Sequence, residues 1–189
     1  MGRFTFSHNI FCKTGNSAEA YPGRPERFGD NRRLKNFIRI IPLLVIAVSL
    51  KAQPAKGRTA PEIILPDATG KSIPLSGLRG KTVLVEFWAS WCGPCRRNNP
   101  FLSKLYHRYQ SRGFEIYGIS LDTEKAQWLQ AIREDKIDWL QVIDPAGVVA
   151  EKWKVVYIPA SILLDKTGKV IVINPDERKL EKELKHQMP

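Results

Sequence analysis

Apolar residues change their spacing several times along this chain, and each change marks an element. Residues 82–89, TVLVEFWA, form an almost continuous apolar run of strand length, the pattern of a strand covered on both faces of a sheet. One acid, Glu86, interrupts it. From Pro94 to Arg112 the spacing becomes helical, with Phe101, Leu102, Leu105 and Tyr109 on one stripe, Gly113 as C-cap and Pro100 placed to kink the helix. FEIYGISL, residues 114–121, reads as a second buried strand. A helix capped by Asp122 or Thr123 follows, with Trp128, Leu129 and Ile132 on one face. WLQVID predicts a further strand and GVVAEKW a short helix. ASILLD and KVIVIN predict a hairpin around Lys166–Gly168, and the closing helix runs from Asp176 to about His186 with Leu180 and Leu184 inward. Ahead of all this, EIILPDATGKSIPL predicts a hairpin turning at Asp67–Gly70. The order predicts an α/β domain: a mixed central sheet with helices on both faces.

The front of the chain has a different pattern. Residues 40–50, IIPLLVIAVSL, are an apolar run preceded by Arg32, Arg33, Lys35 and Arg39, a basic and then apolar sequence of secretory-signal length and short for a membrane span. Ala52 is the expected last residue before cleavage. Residues 1–52 therefore read as a leader, with its basic region at 32–39 and its apolar region at 40–50. Residues 53–60, QPAKGRTA, read as a linker and 61–187 as the folded domain. The polar stretch ahead of Arg32 is long for a signal peptide, and translation starting at Leu34 would yield a compact one. An uncleaved signal anchor and a twin-arginine signal in RRLKNF are the alternatives.

Charge sharpens the division. The net +11 comprises 9 basic and 3 acidic residues in 1–52, against 21 and 16 in the remainder. The domain's own excess is spread over helix surfaces such as ERKLEKELKH, without an aromatic-interleaved basic stripe, which disfavours nucleic-acid binding.

Of three cysteines, Cys12 lies in the leader, so the domain keeps Cys92 and Cys95, spaced Cys-Gly-Pro-Cys. A zinc site would need two further ligands, and the domain offers only His107 and His186, one on each of two helices; no metal or other cofactor is expected. A disulfide closing so short a loop would add little stability by constraining the unfolded chain. Redox chemistry remains. At a helix N-terminus the unpaired N–H groups favour a thiolate on Cys92, with Arg96 and Arg97 adding positive charge. Cys92 is the expected exposed nucleophile, forming a mixed disulfide that Cys95 resolves. Pro94 suits the first helical turn, and Gly93 leaves room for a partner. Glu86, six residues before Cys92, is expected beneath Cys95, its pKa raised by burial, to take and return the resolving thiol's proton. A rim position facing water is the alternative. Trp88 reads as core and Trp91 as the rim of a substrate groove.

FWASWCGPC, with its acid just ahead, resembles the active-site segment of the thioredoxin superfamily, and VVYIPASILLD resembles that family's second signature. The hairpin APEIILPDATGKSIPLSGLRGK and the segment DTEKAQWLQAIREDKIDWLQVID are similar, more narrowly, to TlpA/ResA-type exported thiol–disulfide oxidoreductases. The resemblance covers residues 60–187. It implies a thioredoxin fold with an N-terminal hairpin extension and an inserted helix–strand segment. It implies that Pro159 is cis and faces the cysteines, keeping metals off and helping to bind substrate, and that the backbone of Ile158 pairs with an extended substrate peptide. Glu86 and Pro100 match the family's buried acid and kinking proline. FEIYGISL departs from the pattern, because it lacks the lysine that neighbours the acid in thioredoxin.

The expected activity is reduction of disulfides in exported, periplasmic proteins, in cytochrome c maturation if the resemblance extends that far. Electrons would come from a membrane donor, and the domain would be soluble or tethered by its signal anchor. A disulfide oxidant or isomerase is the nearest rival. A thiol peroxidase is disfavoured by Ala89, where such sites carry Thr or Ser, and copper delivery by the close cysteine spacing.

Overall fold

The computed structural model describes residues 11–12 and 53–188; the leader's basic and apolar segments lie outside these, as does Leu34. A short strand β1 (Phe11–Cys12) precedes the domain. The first hairpin pairs β2 (Ile64–Pro66) with β3 (Ser72–Pro74) in antiparallel register. Asp67 shapes its turn: the carboxylate accepts the backbone N–H of Thr69 and of Lys71 and the hydroxyl of Thr69.

The central sheet contains β4 (Thr82–Trp88), β5 (Phe114–Ser120), β6 (Gln141–Ile143), β8 (Ala160–Leu164) and β9 (Val170–Ile173), with β7 (Tyr157–Ile158) lying just outside it. Its order is β6-β5-β4-β8-β9. Parallel pairing joins β4 to β5 and β5 to β6, while β8 runs antiparallel to β4 and to β9. Every residue of β4 is buried, which is why its sequence is a nearly continuous apolar run, broken only by Thr82 and Glu86, rather than an alternating one.

Four helices complete the domain: α1 (Gly93–Tyr109), α2 (Lys125–Glu134), α3 (Val148–Lys152) and α4 (Glu177–Gln187). A 3-10 turn, Gln110–Arg112, ends α1, and Gly113 stops it at φ 89°, a left-handed conformation that glycine adopts without strain. The face of β4 carrying Leu84 and Glu86 looks toward α1 and α4, which Arg108 and Glu181 tie together at 2.7 Å. Phe87, on the opposite face, packs against Trp153 just after α3, with ring centroids 5.9 Å apart. Asp176 caps α4 by accepting the N–H of Lys179, and Leu180 and Leu184 turn into the core as their spacing predicts.

Two expectations change. The inserted helix begins at Lys125 with Glu124 in the N-cap position and no side-chain cap, so neither Asp122 nor Thr123 caps it. Asp122 is instead buried and bonded to Ser90 and Ser120. Residues 53–60, expected as a linker, are laid in part along the β8–β9 hairpin. Gly57 N–H donates to the Val170 carbonyl, Ala60 N–H to that of Gly168, and Val170 N–H returns a bond to Arg58.

Candidate active site

Cys92 and Cys95 sit where β4 hands over to α1, joined as a disulfide with Cα atoms 5.3 Å apart. The turn that delivers them is closed by a bond from the Cys92 N–H to the Ala89 carbonyl. Cys92 is the N-cap of α1, and its Sγ accepts the N–H of Cys95 at 3.2 Å. A cap normally supplies oxygen; here sulfur takes the role, so a thiolate at Cys92 would receive a hydrogen bond as well as the helix N-terminal field. Pro94, in the first turn, withdraws no needed donor. Cys92 was expected to be exposed; in the disulfide form both cysteines have 0% exposure. Trp91 beside them is 51% exposed, and Trp88 is core, its indole N–H donating to Gln141 Oε1 at 2.9 Å.

Glu86 is buried at 2% exposure, and its Oε1 has no hydrogen-bond partner. Burial pushes its pKa up from 4.5 to about 8. The reason no cation offsets this lies in the register: Glu86 is flanked by Gly118 on β5 and Ser161 on β8. A Cβ at Gly118 would fall 2.2 Å from Nε2 of Gln141. Gln141 lies over the glycine while its oxygen holds Trp88, so there is no space for a long side chain beside the acid. The rim alternative for Glu86 does not describe this structure.

Glu86, Pro94 and Pro159 meet around one cavity of about 570 Å³, whose outer wall includes Arg97, Phe101 and Tyr157. The Ile158–Pro159 peptide bond is cis. Ile158 itself is fully buried, whereas Val156 nearby is exposed. Along this segment β1 pairs in parallel with β7, Cys12 standing opposite Ile158.

Of the two arginines expected to make the site electropositive, Arg96 is already spent. Its guanidinium grips Asp135 through Nε and Nη2 at 2.6–3.2 Å and reaches Glu134 at 2.8 Å, with Asn99 adding a bond to Asp135. Burial works to raise the Asp135 pKa, but the bonds from Arg96 and Asn99 outweigh it and hold the carboxyl below its ordinary range. Arg96 thus fastens the first turns of α1 to the end of α2. Arg97 is exposed, its guanidinium 3.3 Å from where a side chain at Gly93 would begin. His107, weighed above as a metal ligand, hydrogen-bonds Asp138 at 2.7 Å. The residues that sequence reading overlooked are Ser90, Asp122, Asp135 and Gln141. Only Asp122 gave a signal, an acid next to a helix start, and that signal pointed to capping.

The profile of the AhpC/TSA family matches residues 56–173. The thiol-disulfide oxidoreductase ResA of Bacillus subtilis (strain 168) is 31% identical over 153 residues, which is 75% of this chain and 84% of that protein. ResA of Bacillus thuringiensis subsp. konkukian (strain 97-27) is 33% identical over 115 residues, 61% of this chain; the match spans 66% of the relative's length. Among solved structures, the thioredoxin domain of a thiol-disulfide oxidoreductase from Bacteroides vulgatus superposes with a TM-score of 0.67 at 36% identity, covering 71% of this chain and 99% of that one. A thiol:disulfide interchange protein from Bacteroides sp. gives 0.66 at 36% identity, covering 71% and 91%. The fold is the thioredoxin fold that the sequence resemblance implied.

Proposed function

Because the chain belongs to the AhpC/TSA family and carries the dithiol of a thiol–disulfide oxidoreductase, we propose that it reduces disulfides of exported proteins through Cys92 and Cys95. The observation that carries this reading is a cysteine N-cap on α1, a helix whose second residue, Pro94, shares a cavity with a buried acid that has no partner on Oε1 and with the cis-proline Pro159.

The reduced protein would hold Cys92 as thiolate at the head of α1. That sulfur attacks one sulfur of a substrate disulfide, the S–S bond breaks, and the departing substrate thiolate takes a proton. The chain and substrate are then joined by a mixed disulfide. Glu86, ionised for this step, accepts the proton of Cys95; the Cys95 thiolate attacks Cys92 Sγ and expels the second substrate sulfur, which is protonated in turn. Two electrons have passed to the substrate and the Cys92–Cys95 disulfide remains. An acid whose pKa lies near 8 can both take and return a proton near neutral pH, the property general acid–base work requires. Trp91, Gly93, Pro94, Ile158 and Pro159 are assigned to substrate binding, and the strand pairing at Tyr157–Ile158 supports a backbone edge there that accepts an extended segment.

The leader pattern supports an extracytoplasmic, periplasmic site of action; a membrane protein as electron donor and cytochrome c maturation as the pathway served follow from the family resemblance alone. The test is the reduction potential of the Cys92–Cys95 pair, measured on the full chain carrying Cys12→Ser and equilibrated against a thiol buffer. A value near roughly −270 mV supports the reductase. One near about −120 to −180 mV would make the protein an oxidant or isomerase instead.

A further inference from the structure

Asp122 is 1% exposed, yet no ion pair holds it among the described residues. Its hydrogen bonds are all directed to one task. Oδ2 accepts the backbone N–H of Ser90 at 2.9 Å and the hydroxyl of Ser120 at 2.7 Å, while Oδ1 accepts the hydroxyl of Ser90 at 2.5 Å. The Asp122 N–H closes the arrangement by donating to Ser120 Oγ at 3.0 Å. Next to it, the Leu121 N–H donates to the Trp88 carbonyl at 2.9 Å. The end of β5 therefore holds the β4–α1 turn by its backbone at Trp88 and by both donors of Ser90. Burying a carboxylate without a cation is costly, and only a full set of directed donors makes it tolerable.

We propose that Asp122 is a positioning residue of the dithiol, acting through Ser90 to keep Cys92 seated as the sulfur cap of α1. Ser90 lies inside the turn that the Cys92 N–H closes onto Ala89, so it cannot shift without moving Cys92. With Ser90 released, the turn gains other conformations, and in fewer of them does Cys92 Sγ meet the Cys95 N–H. The reduced, thiolate form loses stabilisation that the disulfide does not need. Loss of Asp122 therefore makes the pair more reducing and makes the Cys92 thiol harder to ionise.

This inference rests on the oxidoreductase reading, and one experiment separates the two. The full chain with Cys12→Ser is compared with the same chain carrying Asp122→Ala, Asp122→Asn or Ser90→Ala. Two readouts are taken: the equilibrium with a dithiothreitol buffer, and the pH midpoint of iodoacetamide alkylation at Cys92. Asp122→Ala is expected to shift the equilibrium about tenfold toward the disulfide, about 30 mV, and to raise the alkylation midpoint. Asparagine retains an acceptor for the Ser90 N–H and a donor for its hydroxyl, so Asp122→Asn is expected to recover most of both changes. Ser90→Ala is expected to shift both readouts in the same direction by less. If Asp122→Ala is folded and matches the parent in both readouts, the assignment is overturned. If Asp122→Ala does not fold, Ser90→Ala decides, and parental values there overturn it equally. A parent chain that exchanges no disulfide overturns the oxidoreductase reading itself.

Discussion

Replacing Glu86 by glutamine tests the buried acid through the pH dependence of folding. Burial alone raises this carboxyl from 4.5 to about 8, with no partner on Oε1 to share the cost. In the unfolded chain the group ionises near its ordinary value, so between the two values folding takes up a proton. Its contribution to stability is therefore complete below about pH 4.5 and is lost progressively as the pH rises to about 8. At about 1.4 kcal/mol per pH unit, the loss reaches about 3 kcal/mol at pH 7 and about 5 kcal/mol above pH 8. Glutamine is nearly the same shape and does not titrate. Its buried amide carries a fixed cost of about 1–3 kcal/mol, the same at every pH. The gap between the two proteins should thus swing by about 5 kcal/mol in favour of glutamine between pH 4 and pH 9. Urea unfolding of both oxidised proteins across that range measures it, with m-values compared to confirm that the same transition is followed. A gap that stays constant with pH would refute the reasoning, because it would mean the carboxyl is not desolvated.

Further predictions concern the chemistry and the packing beside that acid. The same Glu86→Gln substitution should slow resolution of mixed disulfides about 10²-fold near neutral pH, read by quenched-flow alkylation; unchanged rates would remove Glu86 from the proton path. Cys92→Ala should abolish disulfide exchange, whereas Cys95→Ala should accumulate mixed disulfides with partner proteins on non-reducing gels. Failure to trap any would count against a two-thiol reductase. Gly118→Ala should destabilise the fold by about 1–3 kcal/mol, because the new methyl displaces Gln141 from Trp88. Thermal melting measures this, and a neutral result would mean that Gln141 has somewhere else to go.

What could be read from the sequence was encoded locally. The continuous run of β4, the Asp67 turn, the Gly113 stop and the Leu180–Leu184 stripe each depend on residues within a turn or strand of one another, and each appears where expected. The cysteine pair was legible for the same reason, as a motif of adjacent residues between a strand and a helix. Contacts across the chain were not. Ser90 and Asp122 are separated by 32 positions and Arg96 and Asp135 by 39, so nothing in either neighbourhood announced its partner. From sequence alone Asp122, like Thr123, reads as a cap because short polar residues before a helix usually serve as one. The missing lysine near Glu86 is visible in the sequence as an absence, but Gln141, which β6 brings over Gly118 beside the acid, is not.

That occupancy has a further consequence. A carboxyl whose proton affinity is set by a neighbouring cation responds to dissolved salt, because mobile ions compete for the same field. Glu86 has an amide and a glycine where such a cation would stand, and its affinity for the proton comes from exclusion of water. Its protonation should therefore be nearly independent of ionic strength.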